Sequence, residues 1–449
     1  MARSKTVNMT EGNPLPLLLT FALPMLVGNI FQQAYSLADS VIVGRLLGAD
    51  ALAAVGATGS VSFLFFSICN GIGSGSGIVT SQYFGAGDPY QVKKSIANSA
   101  YIMFTASFIM AAIAYIAAEG VLLLMGTPLE IMEDALIYMR MTCIGVPLVA
   151  VYNYSSSMLR ALGDSRTPLY FLIFSCVLNV ALDYLCVKTF DMGVFGAAFA
   201  TVVAQVIAGV GCLLYALKTN PYFKLTKKDM AFDKVIVYKS VRLGIPLAMQ
   251  WSMIAISSTA LQTFVNSFGT VAVAAFTATN RIEQLVHQPY GSLSAALATY
   301  SGHNFGAKRM DRVKLGLKKG MMLSAIFSVF MFLVFQIFSD HIMMIFVEDM
   351  EVISLGAAAM RITSWLYIFL GMIYMTRGIL NGVGDALFAF INGFVEMLCR
   401  IFIPMLLAMI PFIGIWGIWW TAGITWIISA LFCWIRYFYW RRKNYPKKA

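Results

Sequence analysis

Charge is scarce in this chain: Asp, Glu, Lys and Arg together make up 12% of its 449 residues, and His occurs only at 287, 303 and 341. That thinness removes whole classes of chemistry. No HExxH pair, no GxSxG elbow and no Walker A lysine is present, so a zinc hydrolase, a serine hydrolase and an ATP-driven pump each lack their residues. Seven Cys at 69, 143, 176, 186, 212, 399 and 433 show no CxxC and no Cys/His cluster. They read as packing residues, with no disulfide and no metal centre implied beyond a bound Na+. Gly71-Ile72-Gly73-Ser74-Gly75-Ser76-Gly77 lacks the spacing of a nucleotide-binding loop; its Gly71/Gly75 and Gly73/Gly77 pairs suit close helix packing. Neither an enzyme nor a cofactor is expected.

What the chain has in quantity is apolar surface, 59% of its residues. A soluble core of this length cannot hide that much, so an all-α polytopic membrane protein is expected. Twelve spans fall near 15–44, 52–79, 93–118, 136–159, 168–188, 194–217, 238–265, 273–299, 316–338, 357–380, 386–410 and 414–437. The polar first 14 residues carry Arg3 and Lys5, and the run after them is too long for a signal-peptide core, so helix 1 reads as a retained anchor. All but six of the 32 Lys and Arg then fall on one side; the exceptions are Arg45, Arg140, Lys188, Arg281, Arg361 and Arg400. By the positive-inside rule both termini face the cytoplasm of a cell (plasma or inner) membrane. This bias accounts for the net charge of +11 without nucleic acid.

One carboxylate stands out within the first apolar run. Asp39 sits where a charge costs roughly 2.5–3.5 kcal/mol on insertion scales, and such acids are usually paired, protonated or ion-bound. Tyr35 lies one turn before it and Gln32 nearly two, so the three share a polar face.

The two halves also repeat. Phe84-Gly85-Ala86 recurs as Phe305-Gly306-Ala307, Val92-Lys93 as Val313-Lys314, Met139-Arg140 as Met360-Arg361 and Gly163-Asp164 as Gly384-Asp385, all at one offset of 221. Pro24 matches Pro246 one residue further on. A duplicated six-helix unit with an even number of spans gives two lobes of the same topology. The organisation expected is a tail (1–14), an N-terminal lobe (15–217), a basic loop (218–237), a C-terminal lobe (238–437) and a basic tail (438–449).

Over residues 10 to 440 the chain resembles the multidrug and toxic compound extrusion (MATE) transporters. The resemblance rests on Leu23-Pro24 with Tyr35 and Asp39, and on Gln82-Tyr83-Phe84-Gly85-Ala86-Gly87-Asp88 and Leu159-Arg160-Ala161-Leu162-Gly163-Asp164. It continues in Asn179-Val180-Ala181-Leu182-Asp183, Gly196-Ala197-Ala198-Phe199-Ala200-Thr201 and Thr279-Asn280-Arg281-Ile282-Glu283. It implies two pseudo-symmetric six-helix lobes in a V, and an antiporter that expels organic, often cationic or amphipathic compounds as Na+ or H+ enters. An exporter of lipid-linked or polysaccharide precursors is the near alternative, and a passive channel the more distant one. Small-molecule substrates and membrane lipids are the partners implied, with a monomer expected.

In relatives of this type the positions matching Asp39, Asn179, Asp183 and Thr201 form the cation site, beside Tyr35 and Gln32. The residues agree: Asn179 and Asp183 stack at i, i+4, and two carboxylates with amide and hydroxyl oxygens suit a hard cation or a shared proton. At the 221 offset Asp39 becomes Ala260, Asn179 becomes Arg400 and Asp183 becomes Pro404, so the second lobe lacks the set. That lobe keeps Arg281, Glu283, Glu396 and Arg400 at depth. Glu396 and Arg400, at i, i+4, can neutralise one another, while Glu283, Gln284 and His287 offer contacts for a cationic substrate, and pairing of the acids and arginines across helices is the other arrangement open to them. Pro24 is a candidate hinge in helix 1, and Pro404 and Pro411 bend points later in the chain.

Overall fold

The computed structural model describes residues 6–410 and 412–444; Arg3, Lys5, Pro411, Lys447 and Lys448 lie outside them. Among the described residues the regular structure is entirely helical. The first half holds α1 (Pro14–Leu46), α2 (Ala49–Gly85), α3 (Pro89–Leu124), α4 (Leu129–Ala161), α5 (Arg166–Asp183) and α6 (Gly193–Thr219), with a π-helical turn at Tyr184–Thr189. The second holds α7 (Lys234–Asn266), α8 (Thr270–Gly306), α9 (Met310–Met344), α10 (Met350–Ser364), α11 (Tyr367–Gly382), α12 (Ala386–Ala408) and α13 (Gly417–Asn444).

Each expected span coincides with one of these helices, or with the α10–α11 pair. Eight helices among the described residues are long and apolar enough to cross a membrane, nine if α10 and α11, bent by 54°, count as one broken span. Among the remaining helices, α8 carries charged and polar side chains along much of its 37 residues. Large apolar side chains such as Ile116, Leu124 and Leu129 point outward at 80% exposure or more. That inverts the soluble pattern and suits hydrocarbon as solvent.

Most helices extend a turn or more beyond the apolar runs from which they were expected. Once formed, the ladder continues into polar sequence until a cap stops it. At the start of α3, Asp88 accepts a hydrogen bond from the Gln91 amide at 3.0 Å and Pro89 occupies the first turn, a strong start signal that moves the helix back from 93.

The chain forms two compact units. The first contains Leu23–Ala248 and the stretch ending at Met9; the second contains Thr10–Ala22 and the chain from Met249 onward. Of the three passages from one to the other, one follows Met9, and the other two fall within three residues of Pro24 in α1 and Pro246 in α7.

In the first unit α4 packs against α2, α3 and α6. The glycine-rich stretch of α2 packs as its spacing suggests. A Cβ on Gly71 would stand 2.5 Å from the Ala248 amide nitrogen, and one on Gly75 would stand 2.4 Å from that of Gly244, so α2 and the start of α7 touch backbone to backbone. Gly73 and Gly77 face Met103 of α3 and Ser157 and Ala161 of α4. Glycine is required here because any side chain would separate the helices.

In the second unit α11 packs against α8, α9 and α13. The sequence reads 357–380 as one continuous span; the structure breaks it at Trp365-Leu366. The side chain of Leu366 occupies the space over Gly423 of α13, so a larger residue there would have to displace it. Gln336 of α9 donates to the Arg361 carbonyl at 3.0 Å, and Ser328 donates to the Tyr367 carbonyl at 3.1 Å. Side chains thus serve backbone oxygens at the break, the condition for irregular backbone at membrane depth.

The repeat is visible in the backbone. Left-handed φ values recur 221 residues apart at Gly48 and Gly269, Gly87 and Lys308, Gly163 and Gly384, and Gly193 and Gly414. The Asp164 amide donates to the Leu159 carbonyl at 2.9 Å, and the Asp385 amide to the Leu380 carbonyl at 2.8 Å, closing the same helix end twice.

Candidate functional site

The first unit gathers polar side chains from four helices. Asp39 on α1 and Asp183 on α5 lie within hydrogen-bonding reach of one another. Both are buried, Asp183 completely and Asp39 at 9% exposure. Asn179, one turn before Asp183, contacts that carboxylate and donates through Nδ2 to the Thr201 hydroxyl of α6 at 3.2 Å. Tyr35, one turn before Asp39, hydrogen-bonds Thr201 and stands beside both carboxylates. The four residues expected to hold a cation are therefore together, with Tyr35 beside them. Gln32 lies a turn further along α1, exposed, and takes no hydrogen bond from this cluster among the described residues.

Two features of the cluster were not read from the sequence. Tyr138 of α4 lies near Asp39, Asp183 and Tyr35; its position beside the repeated Met139-Arg140 pair was the available signal. The π-helical turn 184–189 begins directly after Asp183. Such turns open the helical ladder and concentrate at functional sites. Below the cluster, Val43, Ala51, Val187, Val194 and Ala197 form an apolar floor. The neighbours that meet the two carboxylates here are neutral oxygens and an amide, so the set offers a cation only oxygen donors.

The charges of the second unit are arranged differently from the expected i, i+4 pairing. Glu396 Oε1 accepts from Arg377 Nη2 at 3.4 Å, from Asn392 at 3.0 Å and from Ser429 at 3.0 Å. Arg400 is not its partner; it donates to Ser257 of α7 at 3.3 Å and lies near Glu283 and His287. The i, i+4 spacing allowed the contact, but Arg377, from the neighbouring helix, supplies the nearer charge. Arg377, which the charge count places with the basic side, is 8% exposed and stacks over Tyr374.

Glu283 bonds Thr363 of α10 and neighbours Tyr367. His287 Nδ1 meets the Tyr374 hydroxyl at 3.3 Å, and its ring packs edge-on against Tyr374 and tilted against Trp426. Glu283 and His287 thus share one aromatic enclosure of α8, α10, α11 and α13. Gln284 is exposed on another face of α8, as is Arg281.

The sequence model of the MatE family matches residues 24–185 and again 246–406. The chain belongs to the MatE family. The two matches begin at Pro24 and Pro246, so the family unit is the repeat itself. Among curated proteins, the probable multidrug resistance protein YoeA of Bacillus subtilis (strain 168) is 28% identical over 433 residues, covering 94% of each chain. The multidrug export protein MepA of Staphylococcus aureus (strain MW2) is 23% identical over 415 residues, covering 92% of this chain and 91% of that one. A solved structure described as an outward-facing conformation of a multidrug resistance MATE family transporter of the MOP superfamily aligns with a TM-score of 0.90. It is 21% identical and covers 99% of each chain. A second MATE structure, in the bent conformation, also aligns at 0.90, with 22% identity over 98% of this chain and 99% of that one. These likenesses establish the fold.

Proposed function

We propose that this MatE protein is a secondary multidrug exporter that expels organic cationic or amphipathic compounds as Na+ or H+ enters through Asp39 and Asp183. The observation that carries the reading is the shared buried position of these two carboxylates among Asn179, Thr201, Tyr35 and Tyr138. Two such carboxylates in a low dielectric need a positive charge between them, either a metal cation or a proton. Energy from cation entry is then available to a conformational change.

The coupling step follows from helix membership. Asp39 sits on α1, while Asn179, Asp183 and Thr201 sit on α5 and α6. A cation draws α1 towards the other two, and its departure releases α1, so occupancy biases how α1 packs. Alternating access with Pro24 as the bend point of α1 follows, because proline leaves the Thr20 carbonyl without its ladder partner. The relatives named as multidrug proteins support drugs as cargo, and the enclosure around Glu283, His287, Tyr374 and Trp426 supplies aromatic faces for an organic cation. A monomer in the plasma or inner membrane, with cytoplasmic termini, completes the reading.

Purified protein in proteoliposomes, given an imposed Na+ gradient or pH gradient separately and a cationic dye, tests it. One gradient should drive dye movement and Asp39→Asn should abolish it while protein yield and thermal stability persist. Undiminished coupled transport by Asp39→Asn would sink the ion-site assignment. Failure of both gradients to move any dye, with movement of a lipid-linked precursor instead, would shift the reading to the flippase alternative.

A further inference from the structure

The second unit carries a cavity of about 440 Å³ between α9, α11 and α13 that the transport cycle above does not use. Lys314, Leu317, Lys318, Met321, Ser324 and Ala325 line it from α9, a stripe of i, i+3 and i, i+4 spacings on one helix face. Ile368 and Met372 of α11 and Trp434 and Phe438 of α13 close the apolar part, and Arg441 joins the two lysines at one end. The cavity is therefore amphipathic along its length: apolar towards the helix middles, cationic where α9 begins and α13 ends. From Lys314 to Ala325 it follows about 16 Å of helix, and both α9 and α13 are long and apolar enough to span a membrane.

Lys314, Lys318 and Arg441 take part in no ion pair among the described residues. Three like charges around one mouth repel one another unless an anion lies between them. The repeat shows that this concentration is not a general consequence of membrane orientation. At the 221 offset Lys314 corresponds to Lys93, but Lys318 corresponds to Ala97 and Arg441 to Asn220. Orientation by positive charge acts on both halves; the three-cation mouth belongs to one.

We propose that this cavity binds an anionic glycerophospholipid, its phosphodiester between Lys314, Lys318 and Arg441 and one acyl chain along Leu317, Met372 and Phe438. The acyl chain matches the apolar walls in length and chemistry. The phosphodiester matches the mouth in sign, and the long lysine stems reach it at the interface while their methylenes cover apolar wall. A zwitterionic headgroup brings its own ammonium to the same place and is disfavoured. A soluble phosphate lacks the chain that the walls accept.

Full-length protein in detergent micelles, titrated with phosphatidylglycerol or phosphatidylcholine and followed by native mass spectrometry, tests the assignment. Phosphatidylglycerol should be retained at least tenfold more tightly than phosphatidylcholine, and Lys318→Ala/Arg441→Ala should erase that preference. Arg442→Ala/Lys443→Ala, the same loss of charge beside the mouth, should leave it intact. Met372→Trp, which fills the groove with all charges present, should weaken phosphatidylglycerol retention by a similar factor and covers the case in which the double variant does not fold. Equal weakening by Arg442→Ala/Lys443→Ala would show diffuse surface attraction and overturn the proposal. So would full retention by Met372→Trp, or equal competition from glycerol phosphate.

Discussion

Arg377 of α11 and Glu396 of α12 form an ion pair at 3.4 Å with side chains only 10% and 6% exposed. Asn392 and Ser429 complete the carboxylate's shell at 3.0 Å each. Removing one member of such a pair leaves the other charge buried and uncompensated, which costs about 3–5 kcal/mol. Arg377→Ala should therefore lower the melting temperature in detergent sharply, and Arg377→Met/Glu396→Leu should recover much of it. Arg400→Ala should leave this pair unaffected, because its own contact is Ser257; an equal loss from both arginine variants would mean the two charges act as one network.

Asn179 holds the Thr201 hydroxyl and touches Asp183, so it fixes two oxygens of the proposed cation site. Asn179→Ala deletes a donor to a shielded hydroxyl, worth about 1–3 kcal/mol. The coupling-ion concentration for half-maximal transport should rise by about fivefold or more, since 1.4 kcal/mol is one decade. Ion-dependence curves in proteoliposomes measure this, and an unchanged midpoint would remove Asn179 from the site.

The α2–α7 contact gives a test of packing alone. Gly75→Ala would place a methyl 2.4 Å from the Gly244 backbone nitrogen, and neither side is a flexible chain end. Overpacking of this kind costs about 1–3 kcal/mol. Gly59→Ala, in the same helix with nothing within 4 Å of the added carbon, should be neutral or gain up to about 1 kcal/mol in helix propensity. The thermal unfolding midpoint should fall for Gly75→Ala and hold level or rise for Gly59→Ala.

A pH effect is expected where the chain leaves the membrane. The Lys94 ammonium, 2.8 Å from Asp233, and the amides of Val235 and Ile236 hold the Asp233 carboxyl below the usual carboxylate range. Its folded-state value is depressed, so the stability it contributes is complete above the unfolded value of about 3.9 and fades as pH falls through the folded value. Asp233→Asn should lower stability at pH 7 and flatten the loss between about pH 4 and the acid limit. Melting temperatures across that range report the difference.

The repeat, the expected helices and the Asn179–Asp183 pair were legible because each is a local pattern; that Asp39 and Thr201 join the pair was implied by the resemblance to MATE transporters. Periodicity reports helices, a fixed offset reports duplication, and i, i+4 spacing puts Asn179 beside Asp183. Partner choice across helices was not legible. Glu396 had Arg400 at the right spacing on its own helix, yet its counter-charge comes from Arg377, through packing that no window on the sequence displays. Tyr138 was hidden for the same reason. The break in 357–380 contains neither Pro nor Gly; it depends on Gly423 and Gln336, each far away in sequence.

The matched turns at Gly48 and Gly269, Gly87 and Lys308, Gly163 and Gly384, and Gly193 and Gly414 carry a further consequence for how the two halves tolerate change. After a duplication, a turn is kept wherever its dihedral angles are needed, in both copies alike. The carboxylate site is kept once, with Ala260, Arg400 and Pro404 standing at the other copy's positions. A saturation scan of the whole chain should thus be two-fold symmetric at its turns and one-sided at Asp39, Asn179 and Asp183, separating residues held for architecture from residues held for chemistry.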